Sequence, residues 1–534
     1  MSTLEPTQPP PGAEMAPLDP RRWLVLAVMS IGTLIVFLDL TVVNTALPAI
    51  SLELQATTSD LQWVVDSYVL VLAGLLILAG SIGDRLGRRR WMGVGLAVFA
   101  AGSVVGALAD SIGLLIAGRA IQGLGAAFVL PATLSIVTNA FPREERTKAI
   151  AVWTAVGGMG IGLGPAIGGY LVDRWDWSAA FWIHLPIIAV AILGLVVVNE
   201  SKDDRHVGLD FGGAITATLG ISTLVFGIIQ GTEAGWTSPL IVGSFAAAFA
   251  FLAAFIAIER RVEYPMLPLH FFKQREFTGS VAIIGLMFFA GPATFFFLTQ
   301  FFQIVQGRDP FEAGLLILPN AGAIMLATVI APKMSRRFGL RATVVVALSI
   351  MALSMGLFTQ VDAGWSATTE IAIIMVLGFG FGLGMPSLTD SIMASVPVED
   401  AGVGSAVNDV SRELGSALGV AVLGSFINSI YRGNVSDRLD GQVPEEATEL
   451  AKEGIGVVAA AGQHLDPAVA QITFQESGQA FVDAMNSGFW LSAAIMAAAA
   501  VVAGVLLPRT SRTDQAERSE EEADESAQEL VLTA

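Results

Sequence analysis

Apolar runs of some twenty residues recur along the chain, each closed by a charge, a proline or a cluster of glycines. An α-helix needs ~20 mostly apolar residues to cross the hydrocarbon core of a bilayer. None of the runs is short and alternating like the ~10-residue strands of an outer-membrane barrel. The pattern therefore predicts an all-α polytopic membrane protein with fourteen spans: 23–47, 61–83, 91–108, 112–140, 149–172, 179–198, 211–230, 239–258, 277–302, 313–334, 342–360, 369–393, 403–430 and 484–507. Residues 1–22 are Pro-rich and acidic and read as a disordered tail, and 508–534 as an acidic one. The first apolar run is too long for a signal peptide and reads as a retained helix. Residues 431–483 carry Ala- and Glu-rich stretches that fit either a helical hairpin or a flexible linker.

Composition agrees with the pattern. Only 14% of the 534 residues are charged and 54% are hydrophobic, with a mean hydropathy of +0.66, outside the range of soluble domains. Cysteine is absent and the four histidines are scattered, so disulfides, thiolate catalysis and a metal centre are not expected. No "GxxxxGK[ST]" loop is present to hold ATP. The reading is a transporter and not an enzyme, without cofactor or nucleic-acid partner, and monomeric. Of the 29 basic residues, 22 fall in segments on the side of the N-terminus, five on the other side and two, Arg119 and Arg412, within spans. The positive-inside rule places both termini in the cytoplasm.

Short echoes suggest an internal repeat. "GLGAAFVLP" from Gly123 returns as "GLGMPSLTD" from Gly382, and "FPREERTKA" from Phe141 as "VPVEDAGVG" from Val396. In "PKMSRRFGLR", Gly339 stands for Gly87 and Arg336 for Asp84. Offsets of 252 to 259 residues pair the first six spans, residues 23–198, with the last six, residues 277–507. The spans in 211–258 are left as a linking pair.

Charges within spans are costly and mark candidate sites. At 1.5 Å per residue, Asp39 and Arg119 both lie about 10 to 14 Å from the same end of their spans. They fit a structural ion pair, or a proton-coupling carboxylate tuned by its arginine. Asp66 is one to two turns inside the second span, between Trp63 and Tyr68. Asp409 and Glu413 share a helix face beside Arg412. Carboxylates with aromatic walls suit organic cations, which makes Asp66, Asp409, Glu413, Trp63, Tyr68, Trp153 and Phe297 candidate substrate contacts. Core packing or lipid contact is the bland reading of each aromatic.

The loop "GSIGDRLGRRR", with Gly80, Asp84, Arg85, Gly87 and Arg88, resembles the signature between helices 2 and 3 of the major facilitator superfamily. "RAIQGLGAA" from Arg119 resembles its helix 4 motif. "GGMGIGLGPAIGG", with Gly164, Pro165, Gly168 and Gly169, resembles the helix 5 motif associated with antiporters. "LDLTVVNTALP" from Leu38 resembles the helix 1 motif of the fourteen-helix drug:proton antiporters, nearest the branch that exports quaternary ammonium compounds. The resemblance implies two six-helix bundles plus two additional helices that rock about a central site. It gives the loop and the helix 5 glycines gating roles, with Asp84 paired to Arg88 and meeting the eleventh span. His184 stands where relatives commonly have asparagine. The expected function is a proton-coupled multidrug exporter of the bacterial inner membrane, its partners being hydrophobic or cationic small molecules, protons and membrane lipids. The alternatives are export of an endogenous lipid, siderophore or metabolite, and a non-transporting receptor or scaffold.

Overall fold

Capping residues fix where the apolar runs begin and end. In a computed structural model, which describes residues 20–202, 210–396 except 264, 266, 268 and 363, 401–461 and 465–509, the chain is helical and the described residues contain no strand. Residues 1–19 and 510–534, which hold nearly all of the two expected tails, lie outside the described residues. The first half comprises α1 (Arg22–Leu54), α2 (Thr58–Leu86), α3 (Arg88–Ala107), α4 (Ile112–Ala140), α5 (Arg143–Arg174), α6 (Ala179–Trp182) and α7 (His184–Gly194). A linking pair follows, α8 (Phe211–Ala234) and α9 (Pro239–Glu259). The second half comprises α10 (Arg275–Gln300), α11 (Pro310–Phe338), α12 (Leu340–Phe358), α13 (Ala367–Ala394), α14 (Ala401–Leu439), α15 (Glu445–Glu453), α16 (Ile455–Ala461) and α17 (Pro467–Leu506).

Thirteen helices among the described residues are long and apolar enough to cross a membrane. Glycine makes the 32-residue α5 less apolar, and with it each of the fourteen expected spans has its helix. The sixth span is broken. Pro186 lacks an N–H, and its ring clashes with the carbonyl four residues back; α6 accordingly stops at Trp182 and α7 resumes at His184.

Starts follow local chemistry. Thr57 and Asp60 form a reciprocal capping box on α2, and Asp309 caps α11 with Pro310 in its first turn. At the ends of α2 and α11 stand Gly87 and Gly339, with φ of 118° and 85°, a region that favours glycine. Each donates its N–H to the carbonyl four residues back, Gly87 to Gly83 at 2.9 Å and Gly339 to Ser335 at 2.7 Å.

The repeat is visible in close packing. Gly123 of α4 lies against the backbone of Tyr68 on α2, and Gly382 of α13 against the backbone of Ile324 on α11. Both members of the first contact are thus repeated about 256 to 259 residues later, as small residues permit where helices cross closely.

Most of the described residues in 431–483 are helical. α14 runs on to Leu439 and α17 begins at Pro467, with α15 and α16 between them. The Tyr431 hydroxyl donates to the Ala451 carbonyl at 2.9 Å, and Gly456 of α16 rests on Ser51 near the end of α1.

Candidate functional site

Five helices converge on one buried polar cluster in the first half. Asp39 on α1 accepts from Arg119 Nη1 of α4 at 2.6 Å and from Gln122 Nε2 at 3.2 Å. Arg119 also donates from Nε to the Val64 carbonyl at 3.0 Å and from Nη1 to Gln122 Oε1 at 2.8 Å. Gln122 in turn donates to Ser103 of α3 at 2.9 Å. The guanidinium carbon stands 4.4 Å from the centre of the Tyr68 ring, a cation–π contact. The chain break before α7 brings in His184, whose Nε2 is 3.6 Å from Asp39 and whose ring meets the edge of Phe99. Every member of this group is buried. The equal depth of Asp39 and Arg119 along their spans is thus a direct ion pair, and a buried pair of this kind costs about 3–5 kcal/mol to break by removing one partner.

Gln122 and Ser103 were not singled out from the sequence as partners of this pair. Gln122 is three residues after Arg119 on the same helix, and that spacing was the available signal.

Asp66 is the opposite case. It is fully buried, and no donor among the described residues reaches either of its carboxyl oxygens. On α2 it lies one turn after Gln62, whose amide donates to the Val420 carbonyl of α14 at 3.1 Å, and three residues after Trp63, whose ring neighbours Phe226 of α8. Helical geometry puts Asp66 between those two sides. α2, α8 and α14 all pack on one another, so Asp66 occupies the seam where the first bundle, the linking pair and the second bundle meet.

The second half contributes α14. Arg412 lies between halves, its guanidinium carbon 5.9 Å from the ring centre of Phe37 on α1 and 4.8 Å from that of Phe288 on α10. Asp409 accepts from Arg412 at 3.5 Å and from Asn408 at 3.3 Å, with 42% of its side chain exposed. Glu413 is buried next to Arg412 and within electrostatic range of the Tyr68 hydroxyl.

The expected aromatic contacts do not form one wall. Trp63 faces α8, and Tyr68 is enclosed over Arg119. Trp153 donates from Nε1 to Thr133 at 3.2 Å. Phe297 is packed between Phe296 and Phe481 in the core of the second half. Phe37 and Phe288, which flank Arg412, were missed because aromatic residues are common in such spans and nothing local distinguishes them.

α5 carries two stripes of small residues. Gly157, Gly160, Gly164 and Gly168 meet Phe37, Leu34, Thr41 and Val42 of α1. Gly162 and Gly169 meet Ala321 and Pro310 of α11, and Gly314 of α11 meets the Pro165 backbone. One stripe binds its own bundle and the other binds across to the second. Gln303, in a turn of π-helix over Phe301–Val305, adds a 2.9 Å hydrogen bond to the Thr45 carbonyl. These contacts close the end of the molecule where α1 finishes.

A family model described as the Major Facilitator Superfamily matches residues 29–420. The chain belongs to that superfamily. It is 34% identical to the multidrug efflux pump LfrA of Mycolicibacterium smegmatis over 496 residues, covering 92% of this chain and 97% of that protein. Identity to the multidrug resistance protein Stp of Mycobacterium tuberculosis is also 34%, over 79% of each chain. The methyl viologen resistance protein SmvA of Salmonella typhimurium is 28% identical over 88% of this chain. A crystal structure of a D-xylose-proton symporter superposes with a TM-score of 0.59 at 13% identity, covering 91% of this chain and 98% of the symporter, a likeness of fold alone.

The loop that resembles the superfamily signature has a definite geometry here. Arg88 Nε donates to Asp84 at 2.6 Å, with 38% of the Asp84 side chain exposed. Gly80 packs on Pro131. Glu200, from the chain beyond α7, accepts from the backbone N–H groups of Arg89 and Arg90 at 3.0 and 3.2 Å and fills the space beside Gly87. It caps α3, a role that only tertiary contact reveals. α12, the eleventh span, packs on α13 and α17, and Asp84 pairs with Arg88, inside its own loop.

Proposed function

We propose that this chain is a proton-driven exporter of hydrophobic cations, quaternary ammonium compounds among them, in a bacterial inner membrane with both termini in the cytoplasm. Its relatives named for multidrug efflux and methyl viologen resistance support the cargo class, and the basic residues gathered on one side support the orientation. The observation that carries the mechanism is Asp66, a fully buried carboxyl group with no donor among the described residues. Holding it ionised without a partner costs several kcal/mol, whereas the protonated acid carries only the smaller cost of a neutral polar group, about 1–3 kcal/mol. The arrangement closed at the end of α1 therefore favours the protonated acid.

The residues alone suggest Asp39 as the coupling group. Its two oxygens, however, are already met by Arg119 and Gln122, so we assign the exchanged proton to Asp66 and a positioning role to the Asp39 cluster. Asp409 and Glu413, flanking Arg412 between the halves, offer negative charge to a cation that enters between the bundles. Loss of the proton from Asp66 calls for a positive charge or for water, and both come with opening of the seam. Cation and proton then alternate without covalent chemistry. The α5 stripes and the loop around Asp84 serve as opposite gates: Gly164, Pro165, Gly168 and Gly169 belong to the closed end, and Gly80, Asp84, Arg85, Gly87 and Arg88 to the other.

Everted membrane vesicles energised by a pH gradient test this reading. They are expected to accumulate ethidium and to lose it on addition of an uncoupler. Accumulation that persists without the gradient would contradict proton coupling.

A further inference from the structure

The linking pair has no part in the cluster around Asp39, yet its base holds an unusual arrangement. Asp210 caps α8, accepting from the Gly213 N–H at 2.6 Å through Oδ1. Glu259, the last residue of α9, accepts from the Leu267 N–H at 3.0 Å through Oε2. That leaves one oxygen on each. Asp210 Oδ2 and Glu259 Oε1 are both buried and neither has a donor among the described residues. Both approach the same point, since a methyl group on Gly213 would meet each of them. The residues are only 8% and 5% exposed.

Two buried carboxyl groups facing each other cannot both be ionised without a large repulsion, and one proton between them removes it. Among the described residues no basic side chain bonds to either free oxygen. α9 packs on α8, whose charged groups are Asp210 at this end and Glu233 at the other. Beyond Glu259 the chain carries Arg260, Arg261 and Glu263, all exposed. On the other side of α8 pack α2, with Asp84 and Arg85 toward this end, and α14, with Asp409 and Arg412. Asp84 and Asp409 already have arginine partners, Arg88 and Arg412.

We propose that Asp210 and Glu259 share a single proton and form a proton-binding site in the linker, separate from the carboxylates between the bundles. The position gives the site a consequence. Asp210 stands where the chain arrives from the first bundle, and Glu259 where it departs toward α10 and the second. The shared proton closes the base of the α8–α9 hairpin and, through Leu267, fixes the connection. Its release to solvent leaves two repelling carboxylates and frees the linker to follow the rocking of the bundles. This site does not depend on export or on Asp66.

Infrared difference spectra and hydrogen exchange on the full chain in lipid nanodiscs, from mildly acidic to alkaline buffer, test the proposal. A protonated-carboxyl band is expected to vanish with rising pH, and exchange at the Leu267 amide to quicken about tenfold in the same interval, equivalent to ~1.4 kcal/mol. Glu259→Gln and Asp210→Asn, which each supply an amide donor in place of the proton, should remove that band and make Leu267 exchange independent of pH. Gly213→Ala should quicken exchange at every pH by forcing the carboxyl groups apart. Survival of the same pH-dependent band in both amide variants, recorded in an Asp66→Asn background so that the Asp66 carboxyl group does not contribute, would overturn the proposal. So would Leu267 exchange in the unmodified chain with no pH dependence beyond the intrinsic chemistry, a result that requires no variant to fold.

Discussion

The two halves share a scaffold and divide its chemistry. In the first half, α1, α3 and α4 enclose the ion pair of Asp39 and Arg119 with its glutamine and serine, and α2 carries Asp66. At the repeat offset the second half has Gly378 for Arg119 and Gly322 for Asp66. Gly378 is pressed against Asn320 instead of reaching a carboxylate. The balance reverses in α5 and α14. Arg412 and Glu413 stand at the offset of Gly157 and Gly158, and both Gly157 and Arg412 meet the ring of Phe37. Backbone packing thus follows the repeat while charge does not. A cation passing between the halves meets a fixed cluster on one side and a more exposed pair on the other.

Removing charge from each side should reveal the difference. Arg119→Ala leaves Asp39 buried without its cation and is expected to cost about 3–5 kcal/mol, read as a large loss of folded protein on heating in detergent. Equal stability of this variant and the unmodified chain would place Asp39 outside any ion pair. Gly123→Ala and Gly382→Ala each push a methyl group into a facing backbone and should cost about 1–3 kcal/mol apiece. Similar losses from the two would support the repeat; a loss from one only would show that the close approach matters in a single half. Arg412→Ala, whose partner Asp409 is 42% exposed but whose guanidinium lies between Phe37 and Phe288, should cost about 1–2 kcal/mol while altering the relative affinity for mono- and dicationic dyes. Asp84→Asn should leave dye affinity unchanged and slow turnover severalfold under the gating role proposed for the loop; normal turnover would reduce it to an anchor.

Much of this was legible in the residues. Apolar run length marked all fourteen spans, and the shared depth of Asp39 and Arg119 anticipated their contact. The Gly87 and Gly339 correspondence was also readable, because a positive φ at a helix end demands the same residue in both halves. What escaped depended on partners far away in sequence. Glu200 caps α3 across 111 residues, and Asp66 looks like any other intramembrane carboxylate until its surroundings are known. The Asp210 and Glu259 contact joins the two ends of a helical hairpin, and neither residue lies near a motif that the sequence emphasised. Aromatic walls were the weakest expectation, since Phe297 and Trp63 turn toward helix packing.

Proton release from purified protein tests the central claim most directly. Ethidium added to the unmodified chain in weakly buffered detergent solution should release protons, measured with a pH-sensitive dye. Asp66→Asn should still bind ethidium, through Asp409 and Glu413, and release markedly fewer protons, whereas Asp39→Asn, if folded, should retain the release. Unchanged release from Asp66→Asn, with release lost in a folded Asp39→Asn protein, would contradict the account and return the exchanged proton to the cluster of Asp39 and Arg119.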